Sequence, residues 1–319
     1  MKAIQFYEFG GPEVLKLEDV QDPEPASGQV LVRVAASGVN PADILGRTGG
    51  AIAPERFPSG IGRDAAGVVE RVGDDVKDVK AGQQVVVRNA SGAYAEMLVT
   101  AEENVFPLPD GLPLVGAASL GNTYSTAWDA VVNKAVVETG QNVLVQGASG
   151  GVGIAAVQLA KALGARVIGT ASTEAKRAWV QQRGADDMVD YTQEDWPSRV
   201  KELTDGKGVD AVIDGVGGEP FVNAFTCIRR GAAIAIYGTA GGRQVNFPLN
   251  YFYRTMARVS GAGSPGCTRE DFEKILTMFA SGQLQPTVET TMPLEKAGDA
   301  HRLMEGRKVI GKIVLEAQA

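Results

Sequence analysis

The apolar residues in the middle of the chain form short β-branched runs that alternate with longer segments of mixed polarity. The runs predict buried strands at Asn142–Gln146, Arg166–Thr170, Met188–Asp190, Val209–Asp214 and Ala232–Tyr237. The segments between them carry apolar residues at helical spacing, as at Glu174–Arg183 and Trp196–Leu203. Strands that alternate with helices predict a right-handed parallel sheet that is covered by helices on both faces.

The two ends of the chain follow a different pattern. Before residue 118, Pro, Gly and Asp separate short strands, predicted at Gln29–Val34, Ala66–Val72, Gln84–Arg88 and Tyr94–Val99. After residue 263, two helices precede a last strand at Lys312–Glu316, which has no place in the parallel series. We therefore predict an α/β chain with a discontinuous β-rich domain, residues 1–118 and 264–319, and a doubly wound parallel-sheet domain, residues 119–263.

A glycine turn follows the first strand of the parallel series. The strand Asn142–Gln146 runs into Gly147, Gly150 and Gly153 at three-residue spacing, and a helix is predicted from Ile154. This arrangement lets backbone N–H groups and a helix N-terminus approach a pyrophosphate closely. The turn therefore predicts a dinucleotide site, with a ligand-free packing turn between strand and helix as the alternative.

The residues after the second strand bear on the choice of dinucleotide. An NAD site places an acidic residue near this strand end to hold the ribose 2′-OH, and the strand here ends at Thr170-Ala171-Ser172. Ser172 and Lys176 instead offer a hydroxyl and a cation, which suit a 2′-phosphate. Tyr191 offers a further hydroxyl or a surface for the adenine. NADP is favoured, although Glu174 argues mildly against it and the cations are also typical of a solvated helix face.

Composition narrows the classes of function. The 319 residues are 44% hydrophobic and 22% charged, as in ordinary soluble globular proteins, and they suffice for two domains. A net charge of −7 argues against nucleic-acid binding, and the sequence contains no apolar run that would span a membrane. The N-terminus lacks the apolar region of a signal peptide. With two cysteines, of which Cys227 is predicted to be a core residue, we expect a reduced, cytoplasmic setting.

Four segments of the chain coincide, in order, with one known family. They are Gly38–Asp43, Gly60–Val69, Gly92–Glu96 and Gly147–Gly153. Together they resemble the medium-chain dehydrogenases/reductases, specifically the zinc-free quinone oxidoreductase branch. The resemblance implies a GroES-like catalytic domain, a Rossmann domain and hydride transfer from NADPH to a quinone or an α,β-unsaturated carbonyl compound.

The resemblance also bears on zinc. Zinc alcohol dehydrogenases carry Cys at the position of Asn40 and Gly-His-Glu at the positions of Gly62-Arg63-Asp64. This chain lacks that Cys and that His, and Asp64 by itself supplies too few of the roughly three ligands that a catalytic zinc needs. A metal-free protein is expected, and a zinc alcohol dehydrogenase is excluded on the number of ligands.

The same resemblance implies the residues of the site. Asn40 and Asp43 are the candidate catalytic residues, and Asn40 could donate an amide N–H to the carboxamide or to an acceptor oxygen; turn formation is the alternative for both. The implied cofactor contacts are Thr126, Ser149, Gly150, Gly151, Val152, Gly153, Gly215, Val216, Tyr237, Gly238, Gly261, Ala262 and Arg307. For Thr126 the alternative is a hydroxyl inside a helix, for Gly261–Gly263 a domain joint, and for Arg307 a solvated cation.

One departure from the family affects the substrate. Quinone reductases of this family usually carry a tyrosine in or just after the segment that matches Leu45–Ile52, and this chain has none there. Tyr251, Tyr253 or solvent would then have to supply the proton. His301 lies in a charged helical stretch and is predicted to be a surface residue without a catalytic role.

Two functions remain open at this stage. The first is an NADPH-dependent reductase of quinones or enones, and the second is a non-catalytic NADPH-binding redox sensor or interaction protein. A homodimer is also expected, because the apolar strand Ala232–Ile236 and the strand around Val259 would leave a sheet edge for pairing.

Overall fold

The computed structural model describes residues 1–50 and 52–317, which form two compact units. Unit 1 comprises residues 1–122 and the C-terminal segment from Glu273, and unit 2 comprises Thr123–Phe272. The sequence analysis placed the corresponding boundaries after residues 118 and 263. Within the described part of the chain, every helix is too short or too polar to cross a membrane.

The regular elements are numbered in chain order. The strands are β1 Lys2–Phe6, β2 Lys16–Asp19, β3 Gln29–Gly38, β4 Ser59–Gly60, β5 Asp64–Val72, β6 Gln84–Val87, β7 Met97–Ala101, β8 Val105–Pro107, β9 Asn142–Gln146, β10 Arg166–Thr170, β11 Asp187–Val189, β12 Val209–Asp214, β13 Ile228–Ile236, β14 Arg258–Gly261, β15 Val288–Pro293 and β16 Lys312–Glu316. The helices are α1 Pro41–Arg47, α2 Leu114–Ala117, α3 Gly121–Trp128, α4 Gly151–Ala162, α5 Glu174–Gln181, α6 Trp196–Leu203, α7 Gly218–Ala224, α8 Asn250–Thr255, α9 Arg269–Ala280 and α10 Ala297–Glu305.

Unit 2 is built on a six-stranded parallel sheet. Its strand order is β11-β10-β9-β12-β13-β14, so the chain starts at β9, moves outward to β11, and returns to extend the other half. The central residues Leu144, Val212 and Ile234 are fully buried, since helices cover both faces of a sheet of this kind. The predicted doubly wound parallel sheet is confirmed. The order reverses between β9 and β12, the place where open α/β sheets bind ligands.

Unit 1 is built on a largely antiparallel sheet with the order β15-β16-β3-β5-β6-β8, and β7 also pairs with β3. The last strand, β16, pairs with β3, so that Val314 lies opposite Gly38. On its other side β3 pairs with β5, where Gly38 lies opposite Asp64. The end of β3 and the starts of β5 and β16 therefore meet at one place. This register brings together Asn40, Asp64 and Lys312, which are far apart in the sequence.

Candidate functional site

The turn after β9 is shaped by the close approach of its own backbone. Gly147 has a φ of +70°, which favours glycine, and a Cβ at Gly153 would lie 2.3 Å from the Gly147 carbonyl oxygen. The first intrahelical bond of α4 runs from Ile154 N–H to Gly150 O, and Gly150 caps the helix without a side-chain bond. The N–H groups of Gly151, Val152 and Gly153 therefore precede that first bond and are available to an anion.

The loops after β12 and β13 pack beside this turn. The buried Asp214 carboxylate accepts hydrogen bonds from Val216 N (2.7 Å) and Gly217 N (3.1 Å), which fixes the loop after β12. A Cβ at Gly215 would lie 2.4 Å from the Tyr237 ring, and one at Gly238 would lie 2.8 Å from Gly215 O. Both positions therefore require the absence of a side chain.

The predicted contacts of these loops thus lie together at the carboxyl end of the sheet. A Cβ at Gly147 would lie 3.2 Å from Val216 Cγ2, so the loop after β12 also contacts the glycine turn. The structure brings together the predicted residues Ser149, Gly150, Gly151, Val152, Gly153, Gly215, Val216, Tyr237 and Gly238.

A buried carboxylate also holds the loop after β14. Asp129 begins a π-helical segment that continues α3 to Lys134, and its Oδ2 accepts from Gly263 N at 2.9 Å. A Cβ at Gly266 would lie 2.2 Å from Asp129 Oδ1, so the chain passes directly over the carboxylate. The predicted contacts Gly261 and Ala262 lie in the loop fixed in this way, and Ala262 N donates to Ile236 O. Thr126 is buried one turn earlier in α3.

The residues predicted to contact a ribose 2′-phosphate follow β10. Ser172 is half-buried at the strand end, and Lys176 lies in the first turn of α5, where its N–H is capped by the Thr173 hydroxyl. Arg177 is paired with Asp190 at 2.8 Å and also donates to Ala171 O, so this cation holds the loop in place. Tyr191 packs on the core that contains Trp196, which favours a packing role for its ring.

Unit 1 buries a charged side chain at the meeting point of its strands. The Lys312 ammonium donates to Asn40 Oδ1 (2.6 Å) and to Val39 O (2.7 Å), and the Lys312 residue is 3% exposed. Asn40 Nδ2 donates to Asp64 Oδ2 (3.0 Å) and to Gly38 O (3.3 Å). Burial lowers the pKa of Lys312, while Asp64 and Asp43 counteract that effect. We name Asn40, Asp43, Asp64 and Lys312 the buried polar cluster.

The contacts of Asn40 change its expected role. Both hydrogens of its amide are donated within unit 1, and the residue is 1% exposed. The expectation that Asn40 donates to a cofactor or an acceptor therefore does not fit its geometry. Asn40 instead links the Lys312 ammonium to the Asp64 carboxylate, and its backbone N–H donates to the Asp43 carboxylate in the first turn of α1.

Asp43 connects the buried polar cluster to an aromatic pair. Its Oδ2 accepts from Asn40 N (2.8 Å) and from Tyr94 Oη (2.9 Å), and Tyr94 Oη lies 3.3 Å from His301 Nε2. Burial raises the pKa of Asp43 to about 7 and the Asp64 charge adds to this, while the Asn40 N–H, Tyr94 and Lys312 lower it.

The prediction that His301 is a surface residue is wrong. His301 is fully buried, and its ring packs edge-on against Tyr94 at a centroid distance of 5.9 Å. Burial lowers the pKa of His301 to about 3, and the nearby Arg47 charge adds to this effect. The ring is therefore neutral at neutral pH and can donate Nε2–H to Tyr94 Oη.

A sequence signal for His301 existed in α10. Ala297, Ala300 and His301 form the buried side of the helix at i, i+3 and i+4 spacing. The charged residues around this stripe led to the prediction of a solvent-exposed helix face. Lys312 was missed for another reason, since a lysine at the start of a strand carries no sign of burial until its partner strand is known.

The remaining predicted residues lie elsewhere. Arg307 is exposed in unit 1 with a φ of 53°. Tyr251 packs in an aromatic cluster with Phe225 and Phe247, and Tyr253 is 72% exposed. Cys227 is buried, as expected, and burial raises its thiol pKa to about 12. In the segment Leu45–Ile52, residue 51 lies outside the described residues.

The two candidate ligands fit these residues differently. The glycine cradle after β9 fits a dinucleotide, because side chains are excluded at Gly153 and Gly215 and the N–H groups at the start of α4 suit phosphate. The positions matching zinc ligands do not fit the metal: Asn40 is bonded to the Lys312 ammonium, and Arg63 is itself a cation. Within residues 1–50 and 52–317, no three His, Cys, Asp or Glu side chains group as metal ligands.

Comparison with known proteins gives matches over nearly the whole chain. Residues 26–110 match the family described as alcohol dehydrogenase GroES-like domain, and residues 151–281 match the family described as zinc-binding dehydrogenase. The chain is 36% identical over 322 residues to a quinone oxidoreductase of Sus scrofa, with 99% of this chain and 97% of that protein covered.

Solved structures give the same picture. A quinone oxidoreductase of Escherichia coli complexed with NADPH superposes with a TM-score of 0.92 at 31% identity, covering 99% of this chain and all of that one. An NAD-dependent alcohol dehydrogenase superposes with a TM-score of 0.93 at 34% identity, covering both chains fully. The predicted combination of a GroES-like domain with a Rossmann sheet is confirmed.

The glycine turn gives a first prediction. In Gly153→Ala the new Cβ meets the Gly147 carbonyl oxygen and Ala148 Cα, and backbone atoms cannot move aside without opening the turn. We expect the free energy of unfolding to fall by about 1–3 kcal/mol, measured by chemical denaturation without cofactor. Gly150→Ala is the matched control, because its Cβ would lie 3.5 Å from the nearest atom and should cost less than about 1 kcal/mol. Equal losses in the two variants would contradict this account of the turn.

The buried histidine gives a second prediction. Between pH 6.5 and about 3 the unfolded chain binds a proton at His301 that the folded chain does not bind, so stability falls as the pH falls through this range. In His301→Gln this contribution is absent. As the pH falls below 6.5, we expect the unfolding free energy of the wild type to decrease, relative to that of the variant, by about 1.4 kcal/mol per pH unit. If the unfolding free energies of wild type and variant changed in parallel from pH 7 to pH 4, His301 would not be held neutral in the folded protein.

Proposed function

We propose that this chain, which belongs to the zinc-free quinone oxidoreductase branch of the medium-chain dehydrogenase/reductase superfamily, reduces a quinone or an α,β-unsaturated carbonyl compound with NADPH and without metal. The names of the relatives and the NADPH complex of a structural neighbour support an NADPH-using oxidoreductase.

One observation carries the proposal: the glycine turn lies where the strand order of a six-stranded parallel sheet reverses. The N–H groups at Gly151, Val152 and Gly153 would bind the pyrophosphate, and the loops at Gly215–Val216 and Tyr237–Gly238 would border the rest of the dinucleotide. Bound NADPH supplies a hydride. The chain has to hold the dinucleotide, exclude water from the acceptor and furnish a proton.

The preference for the phosphorylated dinucleotide rests on the region after β10. Asp190, the acidic residue that follows β11, accepts a hydrogen bond from Thr192 and pairs with Arg177, and both contacts lower its pKa. Ser172 and Lys176 would then receive the 2′-phosphate. A structural neighbour described as NAD-dependent makes this preference worth testing directly.

Independence from zinc rests on the donor set. Where a zinc enzyme has Cys and His, this chain has Asn40 and Arg63, and the Lys312 ammonium is hydrogen-bonded to the Asn40 oxygen. An ammonium within the same cluster repels a divalent cation. Addition of a chelator is therefore expected to leave turnover unchanged.

Turnover and cofactor preference form the third prediction. We expect the purified protein to oxidise NADPH with 1,4-benzoquinone or an enone, and to bind NADPH more tightly than NADH, as followed by absorbance and by nicotinamide fluorescence. Lys176→Glu should weaken NADPH binding by about tenfold or more, because a carboxylate repels the 2′-phosphate, and should leave NADH binding nearly unchanged.

The outcomes separate the open functions. Binding of NADPH without oxidation by any acceptor would favour a non-catalytic redox sensor. If Lys176→Glu changed the affinities for NADPH and NADH equally, this lysine would belong to a solvated helix face. Glu202→Lys is a charge-change control on the exposed surface of unit 2, where Glu202 pairs with Arg199.

A homodimer is the fourth prediction. The edge strand β14 leaves one side of the six-stranded sheet open for pairing, and Leu249, Tyr253 and Met256 are 77%, 72% and 55% exposed next to it in sequence. We expect sedimentation to give a dimer at micromolar concentration and Met256→Glu to weaken it. Tyr7→Glu, at an exposed position of unit 1, is the control. A wild-type monomer at micromolar concentration would contradict the proposal.

A further inference from the structure

The two oxygens of the Asp43 carboxyl group have different surroundings. Oδ2 accepts two hydrogen bonds, from Asn40 N and Tyr94 Oη. Oδ1 is buried and has no hydrogen-bond partner within residues 1–50 and 52–317. A buried carboxylate oxygen without a donor is costly, and a proton on that oxygen lowers the cost because it removes the buried charge.

Charged groups act on Asp43 from several elements. Asp64, at the start of β5, is a second buried carboxylate, and Lys312, at the start of β16, is the ammonium that faces both carboxyl groups. Arg63 acts on Asp64 from a half-buried position, where solvent screens its charge. On the far side of Tyr94, Arg47 is paired with Glu305. One buried ammonium thus faces two buried carboxyl groups, and a proton on one of them balances the charge.

Asp43 also lines a cavity within unit 1. The cavity has a volume of about 80 Å³, which is enough for several water molecules. Its wall includes the polar residues Ser59, Arg63 and Ser91. Phe6 and Ile61 form part of its apolar wall. An unpartnered carboxyl oxygen and a small polar cavity are thus found together, as needed for a proton that leaves and returns.

We propose that Asp43 is the proton source of the reaction: as a neutral carboxylic acid it gives its proton, through water in this cavity, to the anion formed when the acceptor takes up a hydride. The inference rests on the proposed function, because a proton is needed only if an acceptor is reduced. It answers the loss of the family tyrosine from the segment Leu45–Ile52.

The acceptor gains two electrons and one hydrogen as hydride, which NADPH supplies, and it becomes an enolate or a hydroquinone anion. The O–H bond of Asp43 breaks, its electron pair stays on the carboxylate, and a C–H or O–H bond forms on the product. Solvent then returns a proton to Asp43 through the same cavity.

Tyr94 and His301 position this group. The Tyr94 hydroxyl donates to Asp43 Oδ2, and neutral His301 can donate Nε2–H to the Tyr94 oxygen, so the chain of donors points toward the carboxyl group. Such a chain stabilises the carboxylate after proton loss through a hydrogen bond to Oδ2. Both residues act through Asp43, and neither is itself a proton source.

The fifth prediction tests the proton without turnover. Infrared difference spectra of the cofactor-free protein between pH 5 and pH 9 should show the carbonyl band of a protonated carboxylic acid that persists at neutral pH. Asp43→Asn should remove this band and keep the wild-type thermal midpoint at pH 7, because Asn reproduces the neutral acid. Asp187→Asn, at a half-exposed ion pair with Arg166, is the control and should keep the band.

Kinetics test the catalytic role. With an enone acceptor we expect Asp43→Asn to lower kcat about 100-fold while NADPH binding is unchanged. The wild-type kcat should fall as Asp43 loses its proton at higher pH. Tyr94→Phe should move this fall upward by about one pH unit, because the lost hydrogen bond had stabilised the carboxylate. Tyr7→Phe, which removes an exposed hydrogen bond to Glu18, should leave the profile unchanged.

The outcomes distinguish the inference from the proposed function. Reduction of the enone by Asp43→Asn at the wild-type rate overturns Asp43 as the proton source and leaves the reductase function intact. An unchanged infrared band in Asp43→Asn overturns the neutral acid. Absence of turnover with every acceptor overturns the reductase function and the role of Asp43 in it, and the infrared band then reports separately whether Asp43 holds a proton.

Discussion

The arrangement of unit 1 depends on the burial of the Lys312 ammonium at the point where three strands meet. A buried ammonium is tolerated only when acceptors surround it, and here Val39 O and Asn40 Oδ1 accept its hydrogen bonds while Asp64 and Asp43 supply negative charge. The two acceptors directly follow β3, and the carboxylates lie in α1 and at the start of β5. The pairing of β16 with β3 therefore has an electrostatic requirement in addition to its backbone ladder.

This requirement limits what each side chain of the buried polar cluster can do. Lys312 is too buried to reach a ligand, and Asn40 has used both amide hydrogens. Asp64 accepts from Asn40 Nδ2 and from Asn122 N, so its position is fixed as well. Asp43 and Asp64 each keep one oxygen without a partner among the described residues, and Asp43 differs because it lines a cavity. The chemical freedom of the cluster is thus concentrated in Asp43.

The sequence predicted local features well and long-range ones poorly, for physical reasons. The strands β9, β10, β12 and β16 and the helix α6 have the predicted bounds, because their periodicity and turn residues are local properties. The glycine turn was also found, since Gly147 and Gly153 are required by backbone conformation and contacts within a few residues. Burial of His301 and Lys312 depends on which surfaces meet in space. A histidine among charged neighbours and a lysine at a strand start look solvated until the fold is known.

The two units use different chemical groups at their candidate sites: backbone N–H groups in unit 2 and polar side chains in unit 1. In unit 2, glycine at positions 153 and 215 keeps side chains out of a surface that a large anion would approach, so the recognition elements are mainly backbone N–H groups. In unit 1, polar side chains are packed inward and form hydrogen bonds with one another. A side-chain network can change its charge by one proton without moving the backbone, whereas a backbone cradle cannot change its charge at all. Dinucleotide recognition therefore suits the turn after β9, and proton transfer suits the cluster around Asp43.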